Sequence, residues 1–387
     1  MAAIHDQRAR RLTMFRFIHS SDLHLGKRFG QFEGDLPGRL REARYGVIGR
    51  LAQHAREQGA DTILLAGDTF DTETPAPDVR RQALAAMRDH APIRWVILPG
   101  NHDSLQATQL WSTLTAEAPA NVTLAVEPGA IPLGVGVVLL PAPCTTRRPG
   151  RDMSEWMDGA PTAEGTLRIG MAHGAIRSFS EEGAASDVIA PDRAARAGLD
   201  YLALGDWHGP LTVDARTRYS GTPEPDRFKH GRPGEALLVS LAGRSAPPQV
   251  SALPTASFDW QTLDLHLLDG DDPAPAMEAL LPAPARRRQT LLQLVATGHG
   301  RLSSRTALAE AVARAVPDFA FMELDDSGLV TECEGGDLDL IDRAGALREA
   351  AEALLAEAGD DSRSAAEREI ARAALARLFT YAQAVAS

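Results

Sequence analysis

In the stretch FRFIHSSDLHLG, residues 15–26, a mainly apolar run is followed directly by two serines, an aspartate and a histidine. The apolar run predicts a buried strand, and the polar residues predict a turn at its end. The same arrangement recurs in DTILLAGD, residues 61–68, and in RWVILPGNHD, residues 94–103. Apolar residues at helical spacing predict helices between these strands, over 39–58 and 78–90. The alternation of strands and helices is typical of an α/β core.

Four more apolar runs further along the chain have the character of strands. They are VGVVLLP (135–141), LRIGMAHG (167–174), LDYLALGDWHG (199–209) and EALLVSL (235–241). In several of the predicted strands, polar residues cluster immediately after the apolar run. Ligand sites in open α/β sheets lie at the carboxyl ends of strands. We therefore expect these polar residues to share one site.

The composition is that of an ordinary globular protein. Of the 387 residues, 44% are hydrophobic and 24% are charged, which excludes a disordered chain, a collagen-like fibre and a small disulfide scaffold. The formal net charge is −12, so the chain is a poor general binder of nucleic acid, because phosphate contacts need Lys or Arg. A polyanionic partner must therefore meet a local basic patch or a metal.

The cysteine content and the absence of long apolar runs indicate the compartment. The two cysteines, Cys144 and Cys333, lie far apart and favour a reducing environment. The basic N-terminal residues contain no apolar stretch of the kind that a secretory signal has, and no run of 18 apolar residues predicts a membrane span. We expect a cytoplasmic protein with no membrane partner and a disordered extension over residues 1–13.

The chain divides into a large N-terminal domain, predicted over 14–250, and smaller parts after it. The segment 245–259, SAPPQVSALPTASFD, is rich in Pro, Ser and Ala and predicts a boundary. A smaller α/β domain is predicted over 258–345, with strands at 260–267, 290–298 and 319–324 and a helix over 304–316. Residues 346–387 are predicted to be helical, with an apolar stripe made of Ile370, Ala374, Leu378, Ala382 and Val385.

Five clusters of polar residues carry groups that can hold metal ions. They are Asp22 and His24 in SSDLHLG, Asp68 in LLAGDTFD, Asn101, His102 and Asp103 in LPGNHD, His173 in MAHG, and Asp206 and His208 in LGDWHG. Each alone is more typical of a turn or a helix cap than of a ligand. Together they offer carboxylate, imidazole and carboxamide groups, which suit hard divalent ions such as manganese. Two such ions need a bridging carboxylate and several terminal ligands, and can then bind a phosphate.

The order of these clusters resembles a known family. The set D-x-H, GD, GNHD, H and G-x-x-H is similar to that of the calcineurin-type metallophosphoesterase superfamily, and SSDLHLG, GDTFDT and YSGTPE resemble the SbcD-like DNA repair exonucleases. Those exonucleases are the nuclease subunits of nuclease–ATPase complexes. The resemblance implies an α/β sandwich of two mixed β-sheets flanked by helices, with a smaller C-terminal α/β domain that caps the DNA.

The resemblance also implies a role for each matching residue. It assigns two divalent ions to seven residues: Asp22, His24 and His208 on one ion, Asn101, His173 and Asp206 on the other, and Asp68 as the bridge. Mn²⁺ is the expected ion, with Mg²⁺ and Fe²⁺ as alternatives. The ions would activate a water for in-line attack on phosphorus.

Three further residues of the motifs are expected near the substrate. His102 would steady the phosphate or protonate the leaving oxygen. Asp103 would orient its loop or His102. Asp71 is as consistent with a hydrogen bond to a nearby ligand as with a simple turn. Of the arginines and lysines, Arg218, Arg227 and Lys229 are the predicted DNA contacts, because they lie in or beside the segment YSGTPEPDRFKHG, which directly follows the last metal cluster.

One residue departs from the family pattern. The last motif is usually G-H-x-H, and here Asp206 stands where the first histidine is expected. A carboxylate can bind Mn²⁺ or Mg²⁺, but it adds negative charge to the site. We expect lower activity at neutral pH than a histidine would give, or a different metal preference. The alternative is that Asp206 points away from a weak second site.

Three functions remain open from the sequence. The first is a metal-dependent DNA exonuclease or endonuclease that acts in DNA repair with a coiled-coil, SMC-like ATPase, and that forms a homodimer as related nucleases commonly do. The second is a phosphoesterase on a small nucleotide or phosphodiester, which the net charge of −12 favours. The third is a non-catalytic subunit that binds the ATPase through the C-terminal apolar stripe.

Overall fold

The structure is a computed structural model. It describes residues 14–176, 189–268, 270–332 and 345–386. The chain forms two compact units that divide between Asp259 and Trp260. The extension 1–13, predicted to be disordered, and Cys333 lie outside the described residues. Among the helices that are described, none is long and apolar enough to cross a membrane.

The first sheet of unit 1 is mixed and has six strands. Their order is β12 (Gln249–Pro254), β11 (Glu235–Leu241), β1 (Phe15–Ser20), β2 (Thr62–Leu65), β3 (Arg94–Ile97) and β4 (Val122–Leu124). Strands β1 to β4 are parallel, so their carboxyl ends share one edge. Strand β11 runs antiparallel to β1, and β12 runs antiparallel to β11.

The second sheet of unit 1 also has six strands. Their order is β5 (Ile131–Gly134), β6 (Val137–Ala142), β7 (Leu167–His173), β8 (Tyr201–Gly205), β10 (Thr217–Tyr219) and β9 (Leu211–Thr212). Strands β6, β7, β8 and β10 are parallel, whereas β5 and β9 are antiparallel edge strands. The seven strands predicted for the N-terminal domain are confirmed; the shorter strands β4, β5, β9 and β10 carried too few residues to be recognised.

The two sheets pack face to face because side chains alternate along each strand. In β1, Phe17 points toward the second sheet and Ile18 points toward the helices. The inter-sheet core includes Phe17, Leu64, Val96, Leu139, Ile169 and Tyr201, all fully buried. Helices α1 (Leu36–Gln58), α2 (Pro77–Asp89) and α3 (Thr108–Glu117) cover the outer face of the first sheet, and the short α4 (Arg193–Arg196) lies over the second. The predicted sandwich of two mixed sheets is confirmed.

Two local predictions for unit 1 differ from the structure. Helix α1 begins at Leu36 rather than residue 39, because Pro37 suits the first turn of a helix, where its missing N–H has no helical partner. The Pro-rich segment 245–259, predicted to be a boundary, ends where the two units divide, but it also contributes the edge strand β12, which was not predicted. An edge strand leaves one side of its backbone unpaired and tolerates proline at its end, as at Pro254.

Unit 2 contains a three-stranded sheet and helices. Its elements are β13 (Asp259–Leu267), α5 (Pro273–Leu280), α6 (Pro284–Arg287), β14 (Thr290–Arg301), α7 (Leu302–Ala315), β15 (Phe321–Glu332), α8 (Ala346–Ala358) and α9 (Ala365–Ala386). The strand order is β13-β14-β15, and α7 connects the parallel pair β14 and β15. Its core includes Leu292, Leu294 and Leu308, which are fully buried.

The apolar stripe predicted for the C-terminal helix lies one residue away from the buried face. Ile370 is 69% exposed, whereas Ala371, Leu375 and Phe379 are buried. Ala374, Leu378 and Ala382 flank that face and are half-buried. The side chain of Val385 lies outside those described. Two neighbouring stripes have the same spacing along a helix, and packing against α8 selects the one that is buried.

His19 links the two sheets through a buried hydrogen-bonded pair. Its Nε2 lies 3.1 Å from the carbonyl oxygen of Leu204, which can only accept, so Nε2 carries the proton. Nδ1 then accepts a hydrogen bond from the Tyr201 hydroxyl at 3.0 Å. Burial lowers the pKa of His19 to about 3. The folded protein therefore keeps His19 neutral at pH values where the unfolded chain takes up a proton.

A His19→Gln variant should show a shallower loss of stability in acid. Because the pKa of His19 is lower in the folded state, its contribution is complete above pH ~6.5 and is lost as the pH falls toward 3. Between pH 7 and pH 5 this loss is about 2 kcal/mol, and Gln removes it while keeping a donor and an acceptor. Urea unfolding of the metal-free protein at several pH values measures the difference, and identical pH slopes for both proteins would contradict it.

A Gly205→Ala substitution should destabilise unit 1. A Cβ at position 205 would lie 2.1 Å from the carbonyl oxygen of Ala66, on the facing sheet. Forced overpacking of this kind costs about 1–3 kcal/mol. Gly129→Ala is the matched control, because a Cβ there meets no described atom within 4 Å. Thermal or urea unfolding should separate the two variants, and equal stabilities would show that the sheets separate freely at Gly205.

Candidate metal centre

The five polar clusters meet at one edge of the sandwich. The loops after β1, β2 and β3 come from the first sheet, and the ends of β7 and β8 come from the second. Four of the predicted ligands have positive φ angles: Asp22 (55°), His24 (43°), Asp68 (52°) and Asp206 (99°). Residues other than glycine rarely adopt this conformation, and they tend to do so at functional sites, where the surrounding structure holds them.

Asp22, His24 and His208 form one candidate ligand group. The Nε2 atoms of His24 and His208 lie 3.2 Å apart. Each of them lies 4.0 Å from Oδ1 of Asp22. Neighbouring ligands of one ion with bonds of about 2.1 Å lie roughly 3 Å apart, so a small closure would let these three atoms share a cation.

Asp68 lies between this group and a second one. Its Oδ2 is 3.7 Å from Nε2 of His24 and 3.5 Å from Nε2 of His173. Its Oδ1 accepts a hydrogen bond from the backbone N–H of His102 at 2.8 Å. Oδ1 of Asp68 is therefore held by the backbone, while Oδ2 lies between His24 of the first sheet and His173 of the second. A carboxylate that bridges two ions has to lie between the two ligand groups in this way.

Asn101, His173 and Asp206 make the second group. Asn101 Nδ2 donates to Oδ1 of Asp206 at 2.8 Å, and the same oxygen lies 3.8 Å from Nε2 of His173. The backbone N–H of Asp206 also contacts the carboxylate of Asp22 at 3.2 Å. The side chain of Asp206 therefore lies within the cluster rather than pointing away from it.

The carboxylates and imidazoles of this cluster shift one another's pKa values. Burial alone would raise the pKa of Asp68, but the positive charge of His173 lowers it well below its ordinary value. Burial would likewise lower the pKa of His173, but Asp68 raises it well above its ordinary value. For Asp206, burial raises the pKa against the opposing charge of His173. Without metal, a proton on His173 thus offsets part of the negative charge that a cation would neutralise.

Two further features of the residues fit a pair of divalent cations. The buried atoms Oδ1 of Asn101 and Nε2 of His173 have no hydrogen-bond partner among the described residues. The Nε2 atoms of His24 and His208 lie close enough for their lone pairs to repel unless a cation or a proton lies between them. Oxygen and imidazole nitrogen donors in this combination suit manganese, magnesium or iron.

His102 lies at the edge of the ligand cluster. Its ring centroid is 4.9 Å from that of His24, and the two rings are perpendicular. Nδ1 lies 2.9 Å from the backbone carbonyl of Asp71, so Nδ1 donates and Nε2 remains for a substrate oxygen. This arrangement agrees with the role of phosphate contact or proton donor predicted for His102, a role that stays a prediction.

Asp71 and Asp103 occupy different positions around the ligands. Asp71 Oδ1 lies 3.2 Å from Nδ1 of His24, the nitrogen that faces away from the cluster. Asp103 is fully buried and accepts hydrogen bonds from the backbone N–H groups of Gly100 and Phe70. Burial, and after it the charge of Asp68, raise the pKa of Asp103. Asp103 therefore ties the loops after β2 and β3 together, whereas Asp71 lies next to His24, a candidate ligand.

The predicted DNA contacts have different neighbours around the candidate site. Arg227 Nε donates to Asp226 at 3.0 Å, next to His208. Lys229 lies over the half-buried ring of Trp207, with its Nζ 5.9 Å from the ring centroid. Arg218 belongs to strand β10, and its guanidinium hydrogen-bonds Thr212 of β9. Arg227 and Lys229 are thus beside the ligand loop, and Arg218 is on the adjoining strand pair.

Sequence reasoning missed two residues that hold the ligands. Ser21 donates from Oγ to Oδ2 of Asp22 at 2.6 Å. Asp226 lies 3.2 Å from Nδ1 of His208. Burial would raise the pKa of Asp226, but its contacts with His208 and Arg44 lower it well below its ordinary value. Asp226 does not directly follow a predicted strand and belongs to none of the motifs. The only indication in the sequence was an acidic residue next to several basic residues.

Comparisons with known proteins agree with this site. A sequence profile described as Calcineurin-like phosphoesterase matches residues 15–239. The SbcD component of the nuclease SbcCD of Rhodobacter capsulatus is 27% identical over 358 residues, covering 78% of this chain and 85% of the relative. The component of the same name from Bacillus subtilis is 29% identical over 289 residues, covering 64% and 68%. These similarities confirm the SbcD-like resemblance.

Among solved structures, the purple acid phosphatase PPD1 from yellow lupin (Lupinus luteus) seeds superposes with a TM-score of 0.44 at 11% identity, covering 63% of this chain and 52% of that chain. So low a TM-score adds nothing to the assignment. The profile match, by contrast, spans more than half of the chain and contains all seven predicted ligands. The chain therefore belongs to the calcineurin-like phosphoesterase family, and its activity is the metal-dependent hydrolysis of phosphoester bonds.

Proposed function

We propose that this protein is a two-metal nuclease that hydrolyses phosphodiester bonds of DNA in DNA repair. The observation that carries the proposal is the position of Asp68 Oδ2, at 3.7 and 3.5 Å from imidazoles that belong to separate ligand groups. The two SbcD relatives, which are named as parts of a nuclease, support DNA as the substrate, because the matched regions cover 85% and 68% of their lengths.

In this proposal Asp22, His24 and His208 hold one ion, Asn101, His173 and Asp206 hold the other, and Asp68 bridges them. When bound, the ions would supply Lewis acidity to the phosphoryl oxygens and lower the pKa of the attacking water. His102 would then contact a phosphate oxygen or protonate the leaving oxygen through Nε2, because its Nδ1 is engaged by the carbonyl of Asp71.

DNA binding by so acidic a chain would need local positive charge. Lysine occurs only at positions 27 and 229, and both lysines lie near the ligand loops, as does Arg227. We propose Arg227 and Lys229 as contacts to the phosphate backbone and Arg218 as a more distant one. Such contacts would make DNA binding dependent on salt.

The relatives support a proposal about the partners. Since both are SbcD components of an SbcCD nuclease, we propose that this chain acts in the cytoplasm with a coiled-coil, SMC-like ATPase and as a homodimer. Residues 258–345 would cap the DNA, and 346–387 would follow as a helical segment. The alternative substrate, a small phosphodiester, is favoured by the net charge of −12.

An Asp68→Ala variant should lose DNA hydrolysis. Removing residues that merely support metal ligands costs about 10–100-fold, so loss of the bridging carboxylate should lower the rate by ~100-fold or more. The assay is Mn²⁺-dependent release of nucleotides from linear and single-stranded DNA. Asp89→Ala is the control, because Asp89 is 67% exposed and pairs only with Arg88 among the described contacts.

The same preparations should be tested on bis-p-nitrophenyl phosphate. Wild-type activity on this diester with none on DNA would favour the small-substrate alternative. Activity on neither compound, or full activity of Asp68→Ala on DNA, would contradict the proposed nuclease.

An Asp206→His variant should be faster than the wild type at neutral pH. The site has three carboxylates, Asp22, Asp68 and Asp206, and replacing one of them by a neutral imidazole increases the net positive charge of the loaded centre. Ionisation of the attacking water then becomes easier, so the pH–rate profile should shift to lower pH. Rates from pH 6 to 9 with Mn²⁺ and with Mg²⁺ measure this, and unchanged pH and metal dependence would argue that Asp206 is not a ligand.

A further inference from the structure

Two imidazoles of the metal centre have their second nitrogen hydrogen-bonded to an acceptor. His173 Nδ1 donates to the carbonyl oxygen of Ala66 at 2.8 Å. His208 Nδ1 lies 3.2 Å from Oδ1 of Asp226, eighteen positions along the chain. In these two residues the proton is thereby kept on Nδ1, and Nε2 is left to face the ligand cluster. His24 Nδ1 lies 3.2 Å from Oδ1 of Asp71, near a carboxylate as well.

Asp226 is itself held in place and kept charged by three cations. Its side chain is 1% exposed. Lys27 Nζ lies 2.7 Å away, Arg227 Nε 3.0 Å and a nitrogen of Arg44 3.7 Å. A buried carboxylate is stable only with such partners. Arg44 is also buried and donates to the carbonyl oxygens of Leu23 and Glu224, so it is a rigid support.

We propose that Asp226 is a positioning residue of the metal centre, which holds the His208 ring so that Nε2 faces His24 and Asp22. The inference rests on the ligand set in the proposed function and extends it to a residue outside the motifs. A carboxylate on the far nitrogen also makes an imidazole a stronger metal ligand. The contacts of Asp226 within the described residues are with His208 and the cations, so its effect is confined to the ion that His208 shares with His24.

An Asp226→Asn variant tests this, because it keeps the shape of the side chain and removes its charge. Mn²⁺ is titrated into the metal-free, full-length protein, and the affinities of the two ions are measured by calorimetry and by the electron paramagnetic resonance of free Mn²⁺. One dissociation constant should rise about 10–100-fold, and the other should stay at its wild-type value. A general loss of folding would weaken both ions together.

A control variant separates positioning from stability. Asp200→Asn changes a carboxylate that is 2% exposed and accepts from the backbone N–H groups of Arg168 and Ser245, away from the ligands. This control should retain wild-type affinity for both ions. Asp226→Glu retains the charge and is expected to recover most of the affinity that Asn loses; it is the second variant if Asp226→Asn does not fold.

The outcomes are distinct. Wild-type affinity for both ions in Asp226→Asn overturns the positioning role and leaves the nuclease proposal intact. Equal weakening of both ions, or the same weakening in Asp200→Asn, also overturns it, because the effect is then not specific to His208. A wild-type protein that binds no Mn²⁺ overturns this inference and the two-metal function together. Selective weakening of one ion in Asp226→Asn, with rescue by Glu, supports the inference even if DNA is not the substrate.

Discussion

The close approach of the two sheets at their carboxyl ends is the constraint on which the site depends. A Cβ on Gly67 would lie 2.1 Å from Nδ1 of His173, and one on Gly205 would lie 2.1 Å from the carbonyl oxygen of Ala66. Two glycines therefore remove the atoms that would keep the sheets apart. Only because the strand ends touch can Asp68, from the first sheet, lie 3.5 Å from His173 of the second.

The contact between the strand ends brings several carboxylates together in a largely buried cluster, and the surrounding structure has to hold them there. Three carboxylates and three imidazoles lie within a few ångströms, and Asp22, His24, Asp68 and Asp206 have backbone conformations that non-glycine residues rarely adopt. The mutual pKa shifts of Asp68 and His173 follow from the same crowding. The inter-sheet core, rather than the ligands themselves, supplies the stability that tolerates this arrangement.

The residues behind the ligands differ between the two ligand groups. His24 and His208 are each backed by a carboxylate, whereas His173 is backed by a backbone carbonyl. His173, whose Nδ1 donates to the carbonyl of Ala66, belongs to the same group as Asp206. At the position of Asp206 the family usually has a histidine. In the proposed assignment each group thus has one carboxylate ligand besides Asp68, Asp22 in the first and Asp206 in the second, and only the first group also has carboxylates behind its imidazoles.

The sequence by itself indicated an α/β core and the polar clusters that follow its strands, because buried strands leave an apolar pattern; the two-sheet sandwich and the seven candidate ligands came from the family resemblance of the motifs. It did not determine β12 or the buried face of α9, where Ile370 is exposed and Ala371 is not, since edge strands and neighbouring helix stripes carry similar patterns. Only the tertiary structure decided that Asp206 lies beside Asn101 and that Asp226 contacts His208. Contacts between residues distant in the chain depend on how loops pack, and local periodicity holds no information about that packing.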